Sequence, residues 1–406
     1  MFSKINLSLM ILIGLVPFSF ALNPSLNIDL SIIRVLIPII FLSWFLIGLI
    51  RKEIVIDPRF RAWLLIFILL FSLASVFWAT DSLKAWRKIL FLGSIFPLYW
   101  VIFPFLKEKS NLNLFLKIIF GTAFISAIIG LIQFLSQFIF GLEVVFEIQA
   151  RLAPFFLGES FSAVVLEYNS WLVNLNGLTV FRAIGLFPDP HLFSLFLNIS
   201  FPIGFYLFLK NKNKGFLIGS IVILTVSLLT FSRAGYLSLI LAFLFFWLCF
   251  LRKKYISNIL LILLVIIFFL IPNPINQRFF SIFNLQENSI SERLTLWKTG
   301  IEITKNNFWN GVGIGNLSEE IQPLSEQRIP IYAHNLFLDF SSEIGFLGGL
   351  AVFLIIISPI VKFFKHPNDK TLLIATIFII ILTHSMFETP FYSVRLLPLI
   401  LSLLAI

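Results

Sequence analysis

His334 stands beside Asn335 where a long polar segment re-enters apolar sequence, and the stretch that follows carries Asp339, Glu343, Gly345 and Gly348. Ionisable groups at the edge of apolar spans are costly unless paired, and they are functional candidates by default. An imidazole takes or gives a proton near neutral pH, which makes His334 the candidate general base. Asn335 is placed to cap the helix that follows. Glu343 lies nine residues after His334, about 13 Å along a helix. It is therefore expected to pair with an arginine or to support structure rather than to touch the histidine. A zinc site is disfavoured, because no second histidine lies three or four residues away and no cysteine is near.

Three arginines could give this histidine an anionic partner. Arg182 opens a stretch that continues through Gly185, Pro188, Asp189, Pro190 and His191. Glycine and two prolines make a rigid turn there, and a guanidinium held on it can offer a bidentate fork to phosphate or carboxylate. The plainer reading is an ion pair with Asp189 or Glu167, with His191 as a capping residue. Arg233 lies between two apolar runs, followed by Ala234 and Gly235. It reads as a phosphate ligand or as a side chain snorkelling to lipid headgroups, and Gly235 would admit a close neighbour. Arg293 belongs to a helical pattern over 291–305 in which Leu294, Trp297 and Ile301 recur at helix spacing. An amphipathic helix with a cationic face is the plainer account of it. Gly311, Gly313 and Gly315 superficially suggest a phosphate cradle, but no strand–helix context surrounds them, and a turn explains them better.

The elements that must position these residues are apolar. The 406-residue chain is 59% hydrophobic and 12% charged, with a mean hydropathy of +1.00, against roughly 25% charged in soluble domains. Runs near the length of a bilayer crossing recur throughout, and none shows the strict alternation of a membrane β-barrel. The expected fold is all-α, one polytopic membrane domain over 1–406 with about twelve spans, drawn at about 5–24, 30–50, 61–79, 87–106, 113–140, 191–209, 215–231, 234–251, 256–271, 335–361, 371–387 and 391–406. The pair 215–231 and 234–251 could equally be one bent helix. The first run reads as a retained helix rather than a signal peptide, since no small-residue cleavage site follows.

With the N-terminus in the cytoplasm, five short basic loops fall inside, as the positive-inside rule expects. They include Arg51/Lys52/Arg59/Arg61, Lys210/Lys212/Lys214 and Arg252/Lys253/Lys254. Lys84, Arg87 and Lys88 are the exception; outside, they either snorkel or line a polar cleft. Two longer segments also lie outside: 141–190, which could hold an interfacial or re-entrant helix, and 272–333, with the helix of Arg293. Transmembrane helices over 191–271 and 335–406 flank the site. The net charge of +10 points to cytoplasmic loops and an anionic substrate, not to nucleic acid. The lone Cys249 excludes an internal disulfide.

Outward-facing arginines and one histidine at a bilayer surface best suit a lipid-anchored phosphate or diphosphate. A sugar joined to a lipid diphosphate is already activated, so a base and charge stabilisation suffice and no cofactor is needed. Taken in order, the elements at Arg182–His191, Ser232–Gly235, Arg293, Trp297, Gly311, Gly313, Gly315 and His334-Asn335 with Glu343, Gly345 and Gly348 resemble the O-antigen ligase and polymerase superfamily. The resemblance is strongest over 180–350. One departure is His191, where the family often carries asparagine.

The resemblance implies the C-type membrane glycosyltransferase fold and metal-independent transfer of glycan from undecaprenyl diphosphate at the periplasmic face of the inner membrane. It implies His334 as the essential histidine and Arg182, Arg293 and Arg233 near the diphosphate. The acceptor would be the lipid A core in a ligase, or a second undecaprenyl-linked repeat unit in a polymerase. Ligase is preferred on the strength of the His334 element. A polysaccharide or lipid transporter is the rival from another class; it would spread charge through the membrane midplane, whereas this chain concentrates polar residues at one face.

Overall fold

The computed structural model describes residues 2–25, 28–167, 170–175, 177–250, 274–281, 288–321 and 332–406. Helices dominate, with two short antiparallel hairpins among the described residues, so the expectation of a purely helical chain is corrected at those two places. Helix α1 (Phe2–Leu15) gives way to a 3-10 turn at Val16–Phe18, and β1 (Ala21–Ser25) then pairs with β2 (Ile28–Ser31). Pro17 lacks the N–H that would continue the helix, so the span drawn at 5–24 ends early.

Next come α2 (Ile32–Arg51), α3 (Phe60–Ser75), α4 (Ser82–Ile95), α5 (Leu98–Leu106) and α6 (Lys109–Phe140). Asp81 caps α4 by accepting from the Lys84 amide at 3.0 Å. Pro97 divides the run drawn as 87–106 into α4 and α5. The segment 141–190 folds as α7 (Leu142–Leu157), α8 (Glu159–Glu167) and a hairpin of β3 (Leu172–Leu175) with β4 (Leu178–Phe181). On α7, Val145, Gln149 and Ala153 face inward while Val144, Ile148, Leu152 and Phe155 are exposed.

The chain continues through α9 (Pro190–Asn211), α10 (Lys214–Leu229) and α11 (Arg233–Phe250). The last two are separate helices, parted at Thr230–Ser232, where Phe231 takes a left-handed φ of 48°. The span drawn at 256–271 and the basic cluster at 252–254 lie outside the described residues. Then follow α12 (Pro274–Phe280), α13 (Asn288–Asn306), α14 (Leu317–Glu320), α15 (Leu336–Lys365), α16 (Asp369–Ser385) and α17 (Leu396–Leu404).

Five helical stretches among the described residues are long and apolar enough to cross a membrane: α2, α4 with α5, α6, α9 and α15. Helices α1, α3, α10 and α11 are apolar but shorter. Length and composition thus single out five spans among the described residues where about twelve were drawn, since most of the other runs fold as shorter helices. The last is the clearest case. Instead of a span over 391–406, a 3-10 turn at Pro390–Tyr392 precedes α17, whose nine residues are buried on every side. A helix apolar all round and enclosed by protein is a core element.

One apolar cluster links helices from Ile5 to Ile406, and a satellite cluster seats α13. Its inward residues are Leu296, Gly300, Ile303 and Thr304, while Leu294 and Ile301 are exposed. Trp297 packs on the inward side as expected, but Leu294 and Ile301 do not. Gly300 lets α15 come close: the Ser342 hydroxyl donates to the Gly300 carbonyl at 3.1 Å and lies 3.2 Å from the Thr304 hydroxyl.

Helix α15 is interrupted at Ile344 (φ −125°) and Gly345 (φ 75°). A broken helix leaves backbone groups unpaired, which apolar surroundings do not tolerate. The turn after α13 supplies the partners. The amides of Val312 and Gly313 each donate to carbonyls of Ser342 and Glu343 at 2.9 Å, and the Phe346 amide donates to the Phe308 carbonyl at 2.8 Å. Gly311 (φ 67°) lies so close that a Cβ would collide with the Glu343 carbonyl.

The Glu343 side chain, 2% exposed, pairs with Lys88 at 2.6 and 2.7 Å, not with an arginine as expected. Lys84 pairs with Glu319. Two of the three anomalous outer cations thus fasten α4 to the loop and to α15.

Gly311→Ala should destabilise the protein by about 1–3 kcal/mol, the range for a non-glycine residue forced into that backbone region. Thermal unfolding of the purified protein in detergent checks this; a melting temperature equal to that of the wild type would contradict the docking role of the turn.

Candidate active site

A cavity of about 870 Å³ opens between α2, α7, α8 and the elements carrying the predicted site. Its described lining includes Arg182, Asp189, His191, Arg233, Arg293 and His334, drawn together from segments far apart in sequence. Arg278, Tyr332, Glu388, Arg34 and Arg395 join them, and sequence reasoning had singled out none of these five. Six arginines face four carboxylates (Asp29, Asp189, Glu292, Glu388) along this lining, an excess of cation that suits an anionic ligand.

Arg182 follows β4 directly and is 3% exposed. Its Nε donates to the Thr230 carbonyl at 2.7 Å, Nη1 to Ser170 at 3.0 Å and Nη2 to Phe231 at 3.2 Å. The guanidinium therefore clamps the hairpin to the break between α10 and α11. It makes no ion pair with Asp189 or Glu167. Burial, with Arg278 next in effect, lowers it to about 9, so the cation persists at neutral pH.

Asp189 is the N-cap of α9, accepting from the amides of His191 and Leu192 at 2.8 Å. Pro190 occupies the first helical turn, where its missing N–H is harmless. Burial, followed by the charge of Glu388, pushes the Asp189 carboxyl up to about 6. His191 does not cap; its Nδ1 lies 2.9 Å from the Ser232 hydroxyl. Ser232 in turn accepts from the Gly235 amide at 3.2 Å, and Arg233 reaches the cavity with Nη1 3.4 Å from the Ser281 hydroxyl.

His334 sits on a tight turn ahead of α15, at a left-handed φ of 52°. That conformation is disfavoured outside glycine and recurs where a side chain must be aimed. Two contacts fix it: Asp339 accepts from the Ala333 amide at 2.8 Å, and Asn335 caps α15 by accepting from Phe337 and Leu338 at 3.1 and 3.2 Å. The Tyr332 ring packs edge-on at 5.7 Å.

The His334 imidazole meets a carboxylate. Its Nδ1 is 3.3 Å from Oε2 of Glu388, whose Oε1 accepts from Nη2 of Arg293 at 2.6 Å. Burial is the largest single influence and works to raise the Glu388 carboxyl, but Arg293, His191 and His334 together outweigh it and hold the group well below the usual carboxylate range. An ionised carboxylate only accepts hydrogen bonds. Nδ1 must therefore carry the proton, which leaves Nε2 of a neutral ring with its lone pair free. Glu388 fixes the tautomer and steadies positive charge that arises on the ring.

Trp297, Gly311, Gly313, Asn335, Glu343 and Gly345 are not among the described lining. Trp297 packs against Phe387 at 5.9 Å, and the three glycines belong to the stitched break of α15. Glu388 carried a signal of the same kind as Glu343: a carboxylate between two apolar runs, followed by Thr389 and Pro390.

The family described as O-antigen ligase matches residues 218–353, a stretch that holds Arg233, Arg293, His334 and the broken helix. A ComP-specific O-oligosaccharyltransferase of Acinetobacter baylyi is 27% identical over 237 residues, covering 53% of this chain and 42% of the relative. The chain thus spans less than half the length of that curated relative. Residues 218–353, which carry part of the site, are thus similar to the O-antigen ligase family, and a wider stretch of this membrane protein is similar to an O-oligosaccharyltransferase.

Proposed function

We propose that the protein transfers a glycan from undecaprenyl diphosphate to a lipid A–core acceptor at the periplasmic face of the inner membrane. The observation that carries this reading is the His334–Glu388–Arg293 chain of contacts at one wall of an arginine-rich cavity. In the reaction, Nε2 of His334 removes the proton from an acceptor hydroxyl as its oxygen attacks C1 of the donor sugar. The C1–O bond to diphosphate breaks, and its electron pair leaves on the diphosphate. Arg293 and Arg233, with Arg182 behind them, offset the charge that develops there. One displacement inverts the configuration at C1. The base and the guanidinium groups complete this chemistry, so no step is routed through a metal.

The proposed topology has about twelve spans of the C-type glycosyltransferase kind, with the N-terminus cytoplasmic and the cavity periplasmic. The short basic loops of the sequence support it. The exposed apolar stripe of α7 suits a helix resting at the membrane surface.

Two readings of the acceptor compete within the same chemistry. A polymerase would use a second undecaprenyl-linked repeat unit. The name of the Acinetobacter relative favours a protein hydroxyl instead. Deleting the gene in its host and profiling the glycolipids separates them. The ligase reading predicts full-length polymer left on its carrier lipid and bare core. Core bearing a single repeat would mean polymerase, and unchanged glycolipids with an unglycosylated protein would mean the third reading.

His334→Ala should lower transfer by about 10³-fold, within the range of general-base catalysis, while binding of the lipid-linked donor persists. A variant as active as the wild type would remove His334 from the mechanism.

A further inference from the structure

The cavity lining holds two arginines that the transfer reading does not use, Arg34 from the N-terminal part of the chain and Arg395 from just before α17. Arg34, in the first turn of α2, stacks on Phe91 at 5.3 Å, and its Nε donates to the Ser94 hydroxyl at 3.2 Å. Among the described residues it has no carboxylate partner. Arg395, 2% exposed, sends Nη2 to the carbonyls of Ser19 and Phe156 at 2.8 and 3.1 Å. Its Nε is buried without a hydrogen-bond partner among the described residues. The two arginines are linked through one set of contacts. Ser19, which receives Arg395, meets the Ser31 hydroxyl at 2.6 Å, and Ser31 is the residue from which α2 starts, one turn before Arg34.

Asp29, a carboxylate of the same lining, is engaged elsewhere. Asp29 accepts from the amides of Ser160 and Phe161 at 3.3 and 2.6 Å and so serves the N-terminus of α8. The same lining is apolar at Phe91, Phe156, Leu157, Phe161 and Val164. Phe161 and Val164 are 41% and 36% exposed, which leaves the apolar wall open at its edge. An anion-binding head beside an open apolar wall matches an amphiphile. Arg34 and Arg395 also lie outside residues 218–353, the part that matches the ligase family.

We propose that Arg34 and Arg395 form a second anion subsite, which holds a phosphoryl group of the acceptor glycolipid while its acyl portion rests on the apolar wall of α7 and α8. This rests on the glycan-transfer reading and adds to it the chemistry of the acceptor: a phosphorylated lipid. With diphosphate at Arg293 and acceptor phosphate at Arg34, the two lipids approach one cavity from separate sides. The acceptor hydroxyl is then presented to His334 between them.

The test uses the full-length protein in phosphatidylcholine nanodiscs. The probe is lipid A–core from a strain lacking O-antigen, either intact or stripped of phosphate with hydrofluoric acid. Binding is measured for wild type, Arg34→Ala and Arg34→Gln, with thermal unfolding to confirm that each variant folds. The proposal predicts that intact probe binds both variants at least about tenfold more weakly than wild type, the loss expected from removing a charge-assisted contact. Stripped probe should bind all three alike, and neither phosphatidylglycerol nor undecaprenyl diphosphate should displace intact probe.

Equal binding of intact probe by wild type and variants would overturn the subsite. Displacement by phosphatidylglycerol would make it an ordinary headgroup contact, and displacement by undecaprenyl diphosphate would merge it with the donor site; either result also overturns it. Transfer by the same wild-type nanodiscs is scored separately. Phosphate-dependent binding without transfer leaves the subsite standing and refutes the proposed function.

Discussion

The architecture of the site depends on one buried carboxylate. Glu388 lies beyond the end of α16, 8% exposed, between a guanidinium from α13 and an imidazole from the turn before α15. An unpaired anion at that depth would carry a large desolvation cost. With Arg293 at 2.6 Å it is held ionised, and that fixed charge sets the tautomer of His334. The same contact ties the segment carrying α13 to the end of α16. A single residue therefore joins anchoring to chemistry, which is why the histidine can be aimed by a turn rather than by a rigid helix.

The second structural commitment is the break in α15. A helix interrupted at Ile344 and Gly345 needs outside hydrogen-bond partners, and the turn at Phe308–Gly313 provides them from both directions. Lys88 closes the arrangement by pairing with Glu343 and lying 3.7 Å from the centre of the Tyr392 ring. Glycines that superficially suggested a phosphate cradle instead let two backbones meet. The consequence is positional: α13 is seated on α15, so one packed pair of helices places both Arg293 and the turn of His334.

Much of this was legible in the residues. Arg182, Asp189, His191, Arg233, Arg293 and His334 were marked by polar chemistry at the ends of apolar runs, and the fold gathers all six around one cavity. Runs such as α6 and α9 showed themselves by length alone. What stayed hidden was long-range pairing. Glu343 finds Lys88, 255 positions earlier, and no local spacing encodes that choice. Glu388 lay between two apolar runs, as Glu343 does, but like Arg34 it was a single charge without a neighbouring motif to name its partner. Helix phase was hidden too. The inward face of α13 follows Gly300 and its contact with Ser342, which a hydrophobic repeat cannot register.

Whether Glu388 acts through His334 is decided by a double-mutant cycle on the transfer rate. Glu388→Gln keeps the shape of the side chain and removes its charge. Residues that work as a unit lose activity non-additively. The account predicts that Glu388→Gln lowers the rate by about 10²-fold in the wild-type background, since general-base catalysis itself is worth about 10²–10⁴. In the His334→Ala background it should remove almost nothing further. An equal loss in both backgrounds would show that Glu388 serves the reaction without the histidine, and would contradict the account.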